Sequence, residues 1–303
     1  MNNQDKVLRI LFIFDNRWWS ASSYYGYICA RALIKRGHKV YAMGDVNSPV
    51  MKKCMGGEFA LNLEFKPFSY SPFAGFKNLS ISGTLFKKFH WDILAPHGPA
   101  AHLWASLARL IFAENIKVIR FLSDNMPVKI HFFNKLLHRS LTHGHIASSA
   151  SLKERYRNAL RIDGERMRVI TGGIDLNSLT SREKSDLDLR KFYNVDGDYT
   201  VVGLIARLSP VKGHSCFIEA ADMVRRSYTK VKFLIAGEED QLNFRELKDL
   251  IGQKGLDDYF IFRSRDENVR AVLNFVDIGV IASTFSEVVC RICMEYMSFC
   301  KPV

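Results

Sequence analysis

Short apolar runs alternate with longer stretches of helical period along most of the chain. Residues 7–14, 39–43, 92–96, 117–121, 144–148 and 167–171 are short, apolar and bounded by polar or turn residues, the pattern of buried strands. Between them, residues 24–36, 101–114, 132–141 and 152–160 place apolar side chains at helix spacing. The first of these helices runs into Arg36-Gly37-His38, where a glycine suits a left-handed cap. Such alternation predicts repeated βα units around a parallel sheet. The pattern restarts after a polar, charged tract at 177–199. Strands are expected at 200–205, 232–236, 259–262 and 278–282, and helices at 214–226, 244–254, 267–275 and 289–299. The fold class is therefore α/β, with two Rossmann-like doubly wound domains, 1–172 and 173–303. Domains of this kind gather ligand sites at the carboxyl ends of their strands.

Composition refines this picture. The 303 residues are 48% hydrophobic and 24% charged, as in a folded globular protein. The first apolar run is interrupted by Arg9, and no run approaches the eighteen or so apolar residues of a membrane span. A cytoplasmic protein is expected, with peripheral attachment to the inner face of the membrane as a further option. Six cysteines, mostly within apolar segments, read as reduced thiols. Cys290 and Cys293 have C-x-x-C spacing, but they lie in a helical stretch with only Cys300 nearby as a further sulfur, which favours packing over metal or redox chemistry.

The charge is divided unevenly. Residues 1–170 hold 25 Lys and Arg against 11 Asp and Glu, or +14, and the remaining 18 and 20 give −2, so the formal +12 belongs to the first half. A one-sided basic domain suits an anionic partner, whether a membrane surface, a nucleic acid or a phosphorylated substrate, or is a solvated basic surface with no partner. No motif for nucleic acid accompanies it, and no nucleic-acid partner is expected. Residues 65–89 interleave Phe68, Tyr70, Phe73, Phe76, Phe86 and Phe89 with Lys66, Lys77, Lys87 and Lys88. Two readings of this segment stand: a loop that inserts rings at a lipid boundary, or rings packed under the first sheet with solvated lysines.

Two segments carry candidate chemistry. At the second domain's first βα junction, Gly203-Leu204-Ile205-Ala206-Arg207-Leu208-Ser209-Pro210-Val211-Lys212-Gly213 ends a buried strand and leads into a helix. A helix N-terminus flanked by Arg207 and Lys212 is suited to a diphosphate and can neutralise a leaving diphosphate without a metal ion. Near the end, Glu287 and Glu295 stand eight apart in Ser286-Glu287-Val288-Val289-Cys290-Arg291-Ile292-Cys293-Met294-Glu295. On a helix that spacing lets both share one side, and carboxylates accept hydrogen bonds from sugar and ribose hydroxyls. Taken alone, either pair also fits an ordinary solvated surface.

Together with Ile146-Ala147-Ser148-Ser149, Gly172-Gly173-Ile174-Asp175, Leu234-Ile235-Ala236-Gly237, Val276-Asp277-Ile278 and Lys301-Pro302-Val303, these segments resemble the retaining glycosyltransferases of family 4, which have the GT-B fold. The first 140 residues resemble the family more faintly, through Arg36-Gly37-His38-Lys39-Val40 and Asp92-Ile93-Leu94-Ala95-Pro96-His97. The resemblance implies an acceptor-side domain, 1–172, and a nucleotide-sugar domain, 173–303. Arg207 and Lys212 would hold the donor diphosphate, Glu295 the ribose hydroxyls and Glu287 the donor sugar. The turn at Arg263 and Ser264 would meet the nucleobase through its backbone. His97 and Glu287 would be the catalytic residues, although a lone histidine after a strand is more often structural. The leaving phosphate would help deprotonate the acceptor on the same face of the sugar. No cofactor and no metal are implied, the nucleotide sugar being a substrate. Asp186-Leu187-Asp188 has the form of a metal-binding D-x-D but reads as linker.

Three departures from the family pattern matter. Ala21-Ser22-Ser23-Tyr24-Tyr25-Gly26 stands where the family has a glycine pair, with Trp18 and Trp19 beside it as candidate acceptor-side stacking residues. Glu287-Val288-Val289-Cys290 replaces a Glu-Gly-Phe-Gly, restricting backbone approach to the donor. The family's chains run on past the Lys-Pro-Val step through further elements, so an incomplete second domain is expected. Lipid-linked or glycan acceptors of the cell envelope, as in polysaccharide or lipopolysaccharide synthesis, are the expected targets. The alternatives are a catalytically impaired nucleotide-sugar or membrane-binding protein, and a sugar-nucleotide epimerase of the same architecture.

Overall fold

The computed structural model describes all residues except 1–5, 17–18, 58, 62–64, 66–82, 87, 113–114, 124–125, 177–186, 265–268 and 285–288. It divides into two compact units, Met1–Gly173 and Ile174–Val303.

The first unit is built on a six-stranded parallel sheet of order β2-β1-β3-β4-β5-β6, with β1 Arg9–Phe14, β2 Lys39–Gly44, β3 Ile93–His97, β4 Lys117–Leu122, β5 Gly144–Ala147 and β6 Met167–Val169. Helices α1 Ala21–Lys35 and α2 Pro49–Gly56 accompany the first strands, and α3 Pro99–Phe112, α4 Phe132–Ser140 and α5 Ala150–Leu160 follow β3, β4 and β5. The sheet is buried on both faces, as a parallel sheet requires. One face packs Leu11, Ile13 and Leu94 against Trp104, Ala105 and Ala108 of α3. The other packs Phe12 and Phe14 against Tyr25 and Ala30 of α1, with Met51 and Cys54 of α2. Helix α2 is not expected from apolar period because it is only eight residues long, yet Ser48-Pro49 announces it. The Ser48 hydroxyl accepts the Met51 N–H, and Pro49 sits in the first turn, where it has no N–H to lose.

The described part of the aromatic-basic segment settles into this core. Phe65 is fully buried, its ring 4.9 Å from that of Trp104, and Phe86 and Phe89 pack in the same cluster. For these rings the packing reading holds. Phe68, Tyr70, Phe73 and Phe76 lie outside the described residues.

The second unit has a four-stranded parallel sheet of order β10-β7-β8-β9, with β7 Thr200–Ile205, β8 Val231–Gly237, β9 Phe260–Ser264 and β10 Ile278–Gly279. Its helices are α6 Leu189–Phe192, α7 His214–Arg225, α8 Phe244–Gln253, α9 Val269–Phe275 and α10 Arg291–Ser298. Strand β10 is shorter than the apolar run suggests. Beyond Val280, whose N–H reaches the Gly203 carbonyl, the chain leaves the ladder and Thr284 N–H bonds to Val211. On the other side of β10, the Gly279 N–H donates to the Pro302 carbonyl at 2.8 Å. Asp188, half of the D-x-D look-alike, accepts the Arg190 and Lys191 N–H groups as the cap of α6, a structural role; Asp186 lies outside the described residues.

Candidate functional site

In the second unit, polar groups collect at the carboxyl edge of the sheet. The loop after β7 is knitted to the one after β8: Ala206 N–H donates to Ala236, Leu208 N–H to Glu238, and Leu242 N–H to Leu208. This pins Arg207, whose guanidinium meets Asp240 at 3.3 Å while remaining partly open to solvent. A single 3-10 turn, Pro210–Lys212, then carries Lys212 to the mouth of α7. Gly213 caps that helix with φ +71°, and a Cβ there would overlap the Ala282 carbonyl. Only glycine fits both demands. Having no side chain, Gly213 makes no side-chain cap bond to the first turn of α7. Beside it the Ser209 hydroxyl is buried with no hydrogen-bond partner. A helix end of this kind, with two cations on its approach, has the electrostatics of an anion site.

Glu295 sits in α10, 5% exposed. One carboxylate oxygen pairs with Arg291 Nε at 2.9 Å, and the other, Oε2, has no partner. Burial raises the pKa of this carboxyl, and the Arg291 guanidinium opposes the rise. An acceptor oxygen held in a dry place with nothing to accept is suited to a ligand hydroxyl. The next residue anchors the helix: Tyr296 donates its hydroxyl to the Gly203 carbonyl of β7 at 2.8 Å.

At the ends of β8 and β9, Gly237 and Ser264 are register partners. They line a concavity of about 420 Å³ with Glu238, Glu239 and Phe244. Ser264 thus opens onto a space, whereas the Arg263 side chain turns toward the Tyr193 hydroxyl, 3.4 Å away. Glu287 lies outside the described residues.

The first unit presents a different edge. His97 ends β3 and is 1% exposed, its ring stacked on Phe12, Phe14 and Phe121, with both nitrogens lacking a hydrogen bond. Burial, reinforced by the Arg120 guanidinium, holds its pKa well below the ordinary 6.5, so the imidazole is neutral. Gly26 of α1 permits this placement, since a Cβ there would overlap the His97 ring. Trp19 packs edge-on against Tyr24 and Tyr27, with ring centroids at 5.8 and 5.6 Å, while Trp18 lies outside the described residues.

Two residues escape a reading of motifs. Asp15, just after β1, accepts the Ala100 and Ala101 N–H groups at 2.9 and 3.2 Å and so closes the N-terminus of α3. Arg120, a charge within the apolar run of β4, is 2% exposed and bonds to the Pro96 and Phe121 carbonyls. In each case the signal was a charge at the end or in the middle of a buried strand. Among the described residues no group of three or more His, Cys, Asp or Glu is arranged to hold a metal ion. No helix among them is long and apolar enough to cross a membrane.

Comparison with known proteins gives the family and the fold. Residues 24–178, just over half of the chain, match the family model "Glycosyltransferase Family 4", and residues 185–303 match "Glycosyl transferases group 1". No curated protein matches the chain. Among solved structures, the fold is similar to Anabaena Alr3699/HepE in complex with UDP and glucose (21% identity, TM-score 0.77, 98% of this chain and 80% of that one). It is also similar to a glycosyltransferase from Rickettsia africae (19% identity, TM-score 0.81, 97% and 78%). The lipopolysaccharide outer core galactosyltransferase WaaB shares it as well (14% identity, TM-score 0.66, 97% and 79%). At these identities the structures speak for a shared GT-B fold, and the family models for descent. The chain belongs to glycosyltransferase family 4 and is a nucleotide-sugar glycosyltransferase of the retaining, metal-independent GT-B class.

Proposed function

We propose that the protein transfers a sugar from a uridine-diphosphate donor to a lipid-linked or glycan acceptor in cell-envelope polysaccharide or lipopolysaccharide synthesis. The observation that carries the donor side is the N-terminus of α7, which has a glycine cap and no side-chain cap bond and is flanked by Arg207 and Lys212. The diphosphate is held there, and the same charges stabilise it as it leaves. Glu295 accepts the ribose hydroxyls through its unpartnered oxygen, and the nucleobase lies toward the Ser264 concavity, met by the backbone at Arg263 and Ser264. Glu287 contacts the donor sugar. UDP is favoured as the nucleotide because it is the one bound by HepE, and an envelope acceptor is in keeping with the role named for WaaB.

His97 and the Trp18/Trp19 loop belong to the acceptor-side domain, 1–172. An imidazole with two unsatisfied buried nitrogens is costly, by about 1–3 kcal/mol for each unmade bond, and a substrate hydroxyl would offset part of that. The donor-side domain is 173–303. A thermal-shift panel of UDP-, GDP- and ADP-sugars tests the donor, since a ligand bound only by the folded state raises the melting temperature. UDP-sugars should give the largest shift, and transfer to a lipid-phosphate acceptor analogue should retain the anomeric configuration. Preference for another nucleotide, or an inverted product, would refute the reading.

A further inference from the structure

We infer that the outward face of α3 and α4 is the surface by which the first unit rests on an anionic lipid bilayer. The inference deepens the reading of a lipid-linked acceptor and rests on it for its purpose. A helix on the surface of a domain turns its apolar stripe inward and its polar residues outward. Helix α3 does otherwise. Ala101, Trp104, Ala105 and Ala108 face the sheet, yet Leu103, Leu107, Leu110 and Ile111, one continuous stripe on the opposite side, are 42–58% exposed. The one charged residue in the helix, Arg109, reaches back to the Ile116 carbonyl at 2.9 Å.

Helix α4 lies beside it, the His102 and His138 rings being 4.5 Å apart. Here Phe132 and Phe133 are 73% and 74% exposed, with Leu136 a turn further along the same side. Met126 and Ile130, in the connection from β4, are also open to solvent. An exposed apolar surface of this extent marks an interaction site.

Charge identifies the occupant. Lys129, Lys135 and Arg139 lie among these apolar groups, and the sequence has no Asp or Glu from 125 to 153. Aromatic rings at the acyl boundary with cations at the head groups fit an anionic bilayer. A second copy of the chain fits poorly, because a two-fold contact would set these same cations against one another. The position also suits the acceptor. Helix α4 follows a parallel strand and starts at the carboxyl edge of the sheet, where Ser123 after β4 bonds to Ser22 of α1 at 2.7 Å, close along the chain to Trp19. A lipid-linked acceptor in the same membrane would present its head group to that edge.

Flotation with phosphatidylcholine vesicles, with and without phosphatidylglycerol, tests the assignment on the whole chain. The wild type should float with the anionic vesicles and release with salt. The variant F132S/F133S should lose binding roughly tenfold or more, and K135Q/R139Q should lose the preference for anionic lipid. The variant F73S/F76S, in the other aromatic-basic segment, should bind as wild type. Since Phe132 and Phe133 are exposed, melting temperature should hold, and L107S on α3 gives an independent second variant. Wild type that ignores anionic vesicles, full binding by both F132S/F133S and L107S, or loss of binding in F73S/F76S would overturn the proposal. So would a dimer, seen by sedimentation, that F132S/F133S dissolves in the absence of vesicle binding. Donor calorimetry on the same proteins separates the two claims: vesicle binding that follows this pattern without nucleotide-sugar binding leaves the surface standing and removes the function.

Discussion

The two units repeat one architectural step with opposite electrostatics. In each, a strand of a parallel sheet ends, a short loop follows, and a helix begins whose first N–H groups find no partner within the helix itself. In the first unit Asp15 fills the mouth of α3 with a carboxylate from the protein itself. In the second, the mouth of α7 is capped by Gly213 without a side-chain bond and approached by Arg207 and Lys212. A carboxylate in place repels an anionic ligand, whereas a bare helix end with cations attracts one. On the proposed reading the donor diphosphate therefore sits at the mouth of α7, although the basic charge is concentrated in the other half of the chain. Net charge marks a long-range partner; the local cap decides the ligand site.

The units should part company first under acid. The first buries His97, His102, His138 and His145, the second only His214. Burial above all, helped by the Arg120 guanidinium and for His138 by the neighbouring His145, holds His138 down at about 2 and His145 at about 3. These groups stay neutral when folded and take up protons near pH 6.5 when unfolded, so stability is fully present above 6.5 and falls as pH drops below it toward the folded values. Each contributes a loss of up to about 1.4 kcal/mol per pH unit. Denaturant unfolding, followed in the first unit by Trp91 and Trp104 fluorescence, should show a large loss of stability between pH 6.5 and 5. A flat profile would contradict the assignment of buried neutral histidines.

A smaller effect is expected from Asp15→Ala, which removes two buried charge-assisted bonds at the α3 terminus. It should cost about 2–3 kcal/mol of stability by denaturant melt and leave donor affinity unchanged. Replacing Arg207 or Lys212 by Ala should do the reverse, leaving stability near wild type and weakening nucleotide-sugar binding by about 1.5–3 kcal/mol in calorimetry. Glu295→Gln should weaken binding least, by about 1 kcal/mol, and more for a ribonucleotide than for its deoxyribose counterpart. Equal losses for the two sugars would remove Glu295 from the ribose.

Much of this was legible in the sequence because buried parallel strands are continuous apolar runs. Strand β7 lies where the run at 200–205 puts it, and Arg207 and Lys212 follow from the loop after it. Helix α2 was not legible from apolar period, since eight residues carry too little of it, and β10 was overestimated because apolar residues also line the turn toward Val211. The pairing of Asp15 with a helix 85 residues away is a tertiary fact that no local pattern records. The same holds for the enclosure of His97 by three phenyl rings and for the exposed stripe on α3, which by period alone reads as core. A helix that is apolar on every side gives no sequence signal of which side is covered.

The donor diphosphate is proposed to sit at the mouth of α7 and not at that of α3. Calorimetric titration of UDP-glucose into wild type, R207A/K212A and D15A tests it in one series. Wild type and D15A should bind saturably with similar affinity, and R207A/K212A should lose at least about tenfold. Equal affinity in all three proteins, or a loss in D15A with none in R207A/K212A, would contradict it.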